Sequence, residues 1–341
     1  MLQKGRFRTQ WNVALILLPC LLILLAGNVP KVFGAELEKV RVVYSSITAS
    51  QCVTWIAEEA GIYKKYGLDV QLIYVSSGSR AISMLLSGDA PILVSAGNPA
   101  VSATLGGADV KIVAGLLNSF PYYVVGGRGI TRADQLRGKK IGISRFGSSG
   151  HAASVYAMRK LGLEPGKDVT LIQLGGGAER FAAMASGAIQ GTLLTPPQEL
   201  IAKKQGYNVI ANVSELGIPF LHSSVVTRQR TIGSQREMVS KYLMAIVDGI
   251  HLMKTQRPET LKLFAKFFRT NNMEAMLDTY EDYVPRAPQI PYTQPQAVHT
   301  VLQIISEERP EARRAQPEQF IDNSFLDELS KSGFVTKLYA Q

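Results

Sequence analysis

One stretch of the chain repeats itself at a distance of 99 residues. Gly67–Ala90 reads GLDVQLIYVSSGSRAISMLLSGDA and Gly166–Ile189 reads GKDVTLIQLGGGAERFAAMASGAI, and eight of the 24 aligned positions are identical without a gap. Solenoids are built from three or more short repeats, so a single pair of long repeats predicts two structural units of one design. A chance match is the alternative interpretation.

Both repeats consist of short apolar strands that alternate with helices. The elements predicted for the first unit are strands at Val40–Tyr44, Val70–Val75 and Ile92–Ser95 and helices at Ser50–Tyr66 and Ser79–Leu86. Those predicted for the second are strands at Lys140–Ser144, Thr170–Leu174 and Gly191–Thr195 and helices at Ser149–Leu161 and Ala178–Ala185. This alternation predicts βαβ crossovers, and therefore an α/β fold with a mainly parallel sheet flanked by helices in each of two lobes.

The pattern beyond Arg230 is helical. Ser234 and Glu237 have the spacing of a capping box, which predicts that a helix begins there and runs to about Met253. Four further helices are expected, at Pro258–Arg269, Met273–Tyr283, Gln294–Glu307 and Ser324–Ser332. We expect this helical tail to pack on the first lobe. Residues 35–123 and 225–341 would then form lobe 1, and residues 124–224 would form lobe 2.

The first 34 residues have the order of an exported protein's signal peptide. Three basic residues are followed by an apolar run, Val13–Ala26, and then by Val32 and Gly34 at the positions expected of a cleavage site before Ala35. A membrane anchor is the alternative, although the run is short for a bilayer core of roughly 30 Å. Cys20, preceded by proline, reads as part of the apolar run. The chain is therefore expected in the periplasm.

Composition narrows the possible chemistry. Loss of the four basic residues of the signal lowers the formal net charge from +10 to +6, which suits either an anionic ligand or a solvated surface. No basic run alternates with aromatic residues, so nucleic-acid binding has little support. After the signal a single cysteine, Cys52, remains, and it is expected in the core rather than as a nucleophile. The four histidines lack metal-ligand spacing, so no metal or cofactor is expected.

Loops rich in glycine and hydroxyl groups follow the predicted strands. Ligands of open α/β sheets bind beyond the carboxyl ends of strands, where helix N-termini present backbone N–H groups that favour negative charge. The candidate ligand-binding residues at these junctions are Ser45, Ser46, Thr48, Gly78, Ser79, Arg80, Ser95, Asn98, Arg145, Ser148, Ser149, Gly177 and Thr195. Any one loop could instead be an ordinary cap or turn, and Arg80 and Arg145, the candidate anion partners, could be surface residues. Tyr122 could offer an aromatic face to the ligand or belong to the core.

The same loops resemble those of the periplasmic binding proteins for sulfonates, taurine, nitrate and thiamine-pyrimidine precursors. The resemblance spans about Val40 to Phe268. Its motifs are the lead-in Asp134–Ile141, the turn Phe146–His151 and the loop Ser95–Pro99. Four positions depart from the pattern. Ser46 stands where a glutamine is often found, Pro91 and Asn98 stand where acidic residues are common, and the tryptophan of the family's W-x-P loop is replaced by Leu194, before Thr195 and Pro196. These departures bear on the identity of the ligand.

The resemblance implies the two-lobed periplasmic-binding-protein fold of type II, with the ligand in the cleft between lobes. It also implies a monomer that delivers a small anionic or heteroaromatic organic solute, of the sulfonate, taurine, nitrate, carboxylate or pyrimidine class, to an ABC permease and catalyses no reaction. Two alternatives are a sensory module that presents the ligand to a membrane receptor and an exported enzyme on the same fold. For the enzyme, His151 and Glu179 are the one suggestive pair, and no recognisable catalytic constellation accompanies them.

Overall fold

The structure, a computed structural model, describes Met1, residues 36–216 and residues 219–340. The predicted signal peptide and the predicted cleavage site before Ala35 lie outside the described residues apart from Met1. The remainder contains two five-stranded mixed sheets with helices packed against them and a helical C-terminal region. The predicted α/β architecture with two similar units is confirmed.

The first sheet has the strand order β2-β1-β3-β10-β4. Its strands are β1 (Glu38–Tyr44), β2 (Leu68–Tyr74), β3 (Ile92–Ser95), β4 (Val110–Ser119) and β10 (Pro219–Arg228). The first three strands are parallel, whereas β10 runs antiparallel to both β3 and β4. Its helices are α1 (Ala49–Glu59), α2 (Ile62–Lys65), α3 (Gly78–Ser87) and α4 (Gly97–Leu105).

The second sheet repeats this order as β7-β6-β8-β5-β9. Its strands are β5 (Tyr123–Gly126), β6 (Lys139–Ile143), β7 (Val169–Gln173), β8 (Gly191–Leu194) and β9 (Asn208–Asn212). Its helices are α5 (Ser149–Lys160), α6 (Gly177–Ala185) and α7 (Gln198–Lys204). Here too three parallel strands are followed by an antiparallel one, β5. The repeat in the sequence therefore corresponds to two copies of one topology.

The chain passes between the sheets twice. It leaves the first sheet after Ser119 and enters the second at Tyr123. On its return, β10 pairs with β4 from Pro219 onward, so the first sheet begins before residue 225, the boundary expected from the sequence.

Seven helices make up the C-terminal region. They are α8 (Gln229–Ser234), α9 (Arg236–Thr255), α10 (Arg257–Phe267), α11 (Met273–Tyr283), α12 (Pro295–Ile305), α13 (Ser324–Lys331) and α14 (Phe334–Tyr339). Helix α9 packs on α1 and α2, and its Tyr242 stacks on Tyr63 of α2 with 5.5 Å between ring centroids. The backbone N–H of Ile112 in β4 donates to the carbonyl of Phe320 at 2.8 Å. The tail thus packs on elements of the first sheet.

Two local predictions were wrong. The helix expected at Ser50–Tyr66 is divided at Gly61, whose positive φ of 69° breaks the α-helical backbone. Ser234 does not cap a helix, because it is the last residue of α8 and its hydroxyl donates to the carbonyl of Arg230 at 2.9 Å. The following helix begins at Arg236, without a side-chain cap from Gln235.

The part of the chain that the structure describes contains no helix that is both long enough and apolar enough to span a bilayer.

Candidate functional site

A cavity of about 280 Å³ lies where the carboxyl ends of parallel strands from both sheets face each other. From the first sheet it is lined by the loop after β1 and the loop before α3; from the second, by the loops before α5 and α6 and by Thr195 after β8. Tyr122, His222 and Phe268 complete the wall. Small-solute sites of α/β proteins typically occupy this position.

Four helices begin at this cavity. They start at Ala49 (α1), Gly78 (α3), Ser149 (α5) and Gly177 (α6), and each is at least nine residues long. The first N–H groups of a helix have no intrahelical acceptor, and the helix dipole adds partial positive charge at the same end. Two helix N-termini from each sheet therefore favour an anionic group in the cavity.

Gln51 holds the loop after β1 in shape. Its Oε1 accepts from the backbone N–H groups of Ser45 at 3.1 Å and Ser46 at 3.0 Å, and its Nε2 donates to Ser45 Oγ at 3.2 Å. Gln51 is buried and comes from the first turn of α1. The loop is thus pre-organised by a side chain that itself borders the cavity.

Arg180 places a buried positive charge in the wall. Its guanidinium donates to Thr192 Oγ1 at 3.0 Å and to the carbonyls of Gly175 at 2.7 Å and Leu193 at 2.9 Å. Burial lowers the pKa of the guanidinium, and the Glu179 carboxylate partly opposes this effect. Among residues 36–216 and 219–340, no carboxylate forms an ion pair with Arg180. A buried cation held only by neutral acceptors is complementary to an anionic ligand.

Glu179, the residue before Arg180, lies at the exposed side of the cavity. A methyl group built on Gly176 would be 2.7 Å from Glu179 Oε2 and 3.5 Å from the hydroxyl of Tyr74. Groups from the two sheets therefore approach each other across Gly176. Tyr74 is 40% exposed, and half-buried Phe268 adds a second aromatic surface to the lining.

His222 and Tyr122 form the inner wall. Their rings make a T-shaped contact with 5.1 Å between centroids. Burial, together with the positive charge of Arg286, lowers the pKa of His222 to about 3, so its ring is neutral. Within the described residues, neither ring nitrogen of His222 has a hydrogen-bond partner. Buried polar atoms are usually satisfied, so this ring is a candidate for contact with a ligand or an ordered water.

Nine of the predicted ligand-binding residues meet at this cavity. They are Ser45, Ser46, Thr48, Gly78, Tyr122, Ser148, Ser149, Gly177 and Thr195. The hydroxyl of Ser148 is already occupied, since it donates to the carbonyl of Arg145 at 2.6 Å and accepts from the His151 N–H at 3.2 Å. Ser149 shares a 3.3 Å contact with the Tyr122 hydroxyl. Ser149 is therefore better placed than Ser148 to donate to a ligand.

The other five predicted residues do not line the cavity. Ser95 and Asn98 are buried outside the lining, and a methyl group built on Gly78 would overlap Ser95 Oγ. Ser79 shares a 3.0 Å contact with the Ser77 hydroxyl. Arg80 is exposed and Arg145 is half-buried, both outside the lining. The anion partner that the structure offers is Arg180.

Several lining residues were not among those predicted. They are Ile47, Gln51, Tyr74, Ser76, Ser77, Ser144, Gly150, Gly176, Ala178, Glu179, Arg180, Gln198, His222 and Phe268. The sequence pattern could have indicated two of these residues. Arg180 follows the glycine-rich turn at a helix start, and His222 is a polar residue within an apolar strand. Phe268 carried none, since it comes from the end of α10.

A wider depression of about 770 Å³ lies at the opposite end of the first sheet. Its two arginines from the end of β10 and the start of α8 are paired, because Asp109 binds Arg228 at 2.7 Å and Arg230 at 2.9 Å, and its other cations, Lys39 and Arg41, are exposed. It offers no buried unpaired cation comparable with Arg180. The described residues contain no cluster of three or more His, Cys, Asp or Glu able to hold a metal ion.

Sequence comparison identifies relatives over most of the chain. The model of the family described as NMT1/THI5 like matches residues 51–260. YtlA of Bacillus subtilis (strain 168), named as a binding protein, is 25% identical over 215 residues, which cover 62% of this chain and 64% of YtlA. The chain thus spans just under two thirds of the length of this relative.

Structural comparison gives the same fold. The alkanesulfonate-binding protein SsuA from Xanthomonas axonopodis pv. citri, bound to MOPS, superimposes with a TM-score of 0.71 and 17% identity over 84% of this chain and 99% of SsuA. For the periplasmic nitrate-binding protein NrtA from Synechocystis PCC 6803 the values are 0.67 and 15%, over 87% and 89%. A mutant of DSZB, solved in complex with biphenyl-2-sulfinic acid, shares the fold with a TM-score of 0.63 and 15% identity over 87% of this chain and all of DSZB.

At sequence identities this low, the structural matches establish the fold alone. The assignment of the chain to a family therefore rests on the match to the family model. It covers more than half of the chain, and the region it matches includes every lining residue of the cavity except Phe268 and those of the loop after β1. The chain belongs to the NMT1/THI5-like family and has the fold of the periplasmic binding proteins.

Proposed function

We propose that the protein captures a small anionic organic solute in the cavity between its two sheets and delivers it to an ABC permease. The main observation behind this proposal is the guanidinium of Arg180, which has no ion-pair partner among the described residues. It is 7% exposed, borders the cavity and donates only to neutral acceptors among the described residues. Four helix N-termini at the same cavity add donors for the same anionic group.

The arrangement of the two sheets supports a binding protein that closes around its ligand. In this proposal residues 35–123 and 225–341 form one lobe and residues 124–224 the other, and both boundaries fall within the strands β5 and β10, where the chain passes between the sheets. Ion pairs already join the two parts, between Arg159 and Glu307 at 2.5 Å and between Lys204 and Glu274 at 2.5 Å. A ligand that touches both halves of the cavity would stabilise the closed arrangement by its differential affinity.

An enzyme on this fold has less support. Cys52, the one cysteine among the described residues, is fully buried, and its Sγ lies 3.9 Å from Met253 Sδ in the core. It therefore offers no nucleophile to the cavity.

Export to the periplasm, a monomeric state and a permease partner belong to the proposal, and a sensory receptor is the alternative partner.

Calorimetric titration with small anions tests the site. Nitrate, ethanesulfonate and propionate are the probes, and the protein begins at Ala35. Hydrogen bonds to a charged group contribute about 1.5–3 kcal/mol, so Arg180→Met should weaken binding of the best probe by about 10- to 100-fold. Arg180→Lys keeps the charge and should retain part of the affinity.

Arg80→Met is the matched control, because Arg80 is exposed and outside the cavity lining. Circular dichroism establishes whether each variant is folded. Equal affinities of the wild-type protein and a folded Arg180→Met variant would contradict the proposed site. Conversion of a probe into another compound during incubation would favour the enzyme.

A further inference from the structure

The cavity contains two charged side chains of opposite sign. Among the described residues that line it, Arg180 is the basic one and Glu179 the acidic one. Neither forms an ion pair with another described side chain. The first is buried and the second exposed, so the cavity offers a positive inner wall and a negative outer wall.

The Glu179 carboxylate faces a partly aromatic surface. Oε2 and the Tyr74 hydroxyl flank the same point above Gly176, at 2.7 and 3.5 Å from a methyl group built there. Tyr74 packs against Tyr44 with 5.3 Å between ring centroids, and Phe268 also borders the cavity. A carboxylate with a tyrosine hydroxyl beside it accepts hydrogen bonds from an ammonium group, and the aromatic rings of the same lining add cation–π attraction.

We propose that the ligand is a short zwitterion whose anionic group is bound near Arg180 and whose ammonium group is bound by Glu179 and the neighbouring aromatic rings. This inference rests on the proposed function, since it assigns the ligand class of the same site. Glu179 and Arg180 are adjacent at the start of α6. Burial lowers the pKa of the Arg180 guanidinium and the Glu179 carboxylate partly opposes this effect, so the two charges are near enough to interact. A ligand that reaches both carries its two charged groups only a few carbon atoms apart.

A plain anion fits this pair of charges less well. It would satisfy Arg180 and the helix N-termini, but it would also face the Glu179 carboxylate without compensation. Like charges in a partly dehydrated site repel, whereas an ammonium group converts the same carboxylate into an attractive partner. Glu179 thus acts as a selectivity residue that disfavours simple anions.

Isosteric ligand pairs test this inference by calorimetry. The pairs are taurine and 1-propanesulfonate, β-alanine and butyrate, and glycine betaine and 3,3-dimethylbutyrate; in each pair a carbon group replaces the ammonium. We expect the wild-type protein to bind the zwitterion of at least one pair about tenfold or more tightly than its partner. In Glu179→Gln the ratio should fall towards one, because the zwitterion binds more weakly and the plain anion more tightly.

The control is Glu318→Gln, an exposed glutamate remote from the cavity lining, which should keep the wild-type ratio. A ratio at or below one in the wild-type protein, a ratio that Glu179→Gln leaves unchanged, or binding of none of the six compounds would overturn the zwitterion assignment. If nitrate or ethanesulfonate still binds through Arg180, the proposed function survives that result. Failure of every anion, with or without an ammonium group, would overturn the proposed function as well.

Discussion

Glu199 lies where α7 of the second sheet meets the helical tail. We predict that its carboxyl group makes the stability of the folded protein depend on pH. The residue is 5% exposed, and its Oε2 has no partner among the described residues. Burial, and next the negative charge of Asp282 on α11, raise the pKa of Glu199 from 4.5 to about 7. Asp278 adds to this effect, while Lys203 and the Leu200 N–H oppose it.

The magnitude follows from linkage. A pKa of about 7 in the folded protein, against 4.5 in the unfolded chain, means that the folded state holds the proton more tightly. Stability is therefore greatest below about pH 4.5, falls as the pH rises through the interval from 4.5 to 7, and reaches its full loss above pH 7. The loss is at most about 3 kcal/mol for Glu199.

Urea unfolding of the wild-type protein and Glu199→Gln at pH 5 and pH 8 measures this loss. Glutamine is neutral at both values, so the variant should be close to wild type at pH 5 and more stable by up to about 3 kcal/mol at pH 8. Glu318→Gln, an exposed substitution, should show no such difference. If Glu199→Gln changes the free energy of unfolding equally at both pH values, Glu199 is not a buried neutral acid and the reasoning is refuted.

Three further predictions concern single residues. Gly78→Ala would place a methyl group 2.8 Å from Pro99 Cγ and in overlap with Ser95 Oγ, so it should lower the free energy of unfolding by about 1–3 kcal/mol in a thermal unfolding assay. Gly233→Ala is the control, because nothing lies within 4 Å of the added methyl group, and it should be nearly neutral. Burial raises the pKa of the Cys52 thiol, so in protein that begins at Ala35 a thiol reagent should react only after denaturation, and labelling of the native protein would contradict this. Because the pKa of His222 is lowered to about 3, its ring nitrogen NMR shifts should stay constant between pH 5 and 8.

Local patterns were sufficient for most of the elements and for the loops that line the cavity. Strands and helices alternate with a short period, and each glycine- and serine-rich loop follows its strand directly, so neighbouring residues alone predict that the loops meet at one sheet edge. Gly61 shows the limit of this reasoning. The apolar pattern predicts one helix over Ser50–Tyr66, but the positive φ of Gly61 divides it into two helices.

The choice among polar residues within those loops depended on three-dimensional packing. Ser95 and Asn98 are polar residues of the kind that contact ligands, yet both are buried and neither lines the cavity. Ser95 lies behind Gly78, where the packing is tight. Arg80 and Arg180 are both arginines in a helix first turn, but only Arg180 turns inward to the end of the β8 strand. Side-chain direction of this kind depends on the neighbouring strand, which the local sequence does not contain.

The amino-acid sequence by itself determined a duplicated α/β design with polar loops at the carboxyl ends of its strands, because hydrophobic periodicity and glycine-rich turns act over a few residues. Only the tertiary structure decided which groups line the cavity. His222 and Phe268 line the cavity from segments that are distant in the chain. Arg180 is buried beside the exposed Glu179 because of the way α6 packs against the second sheet. Burial and charge pairing depend on contacts between distant segments, and those contacts exist only in the folded chain.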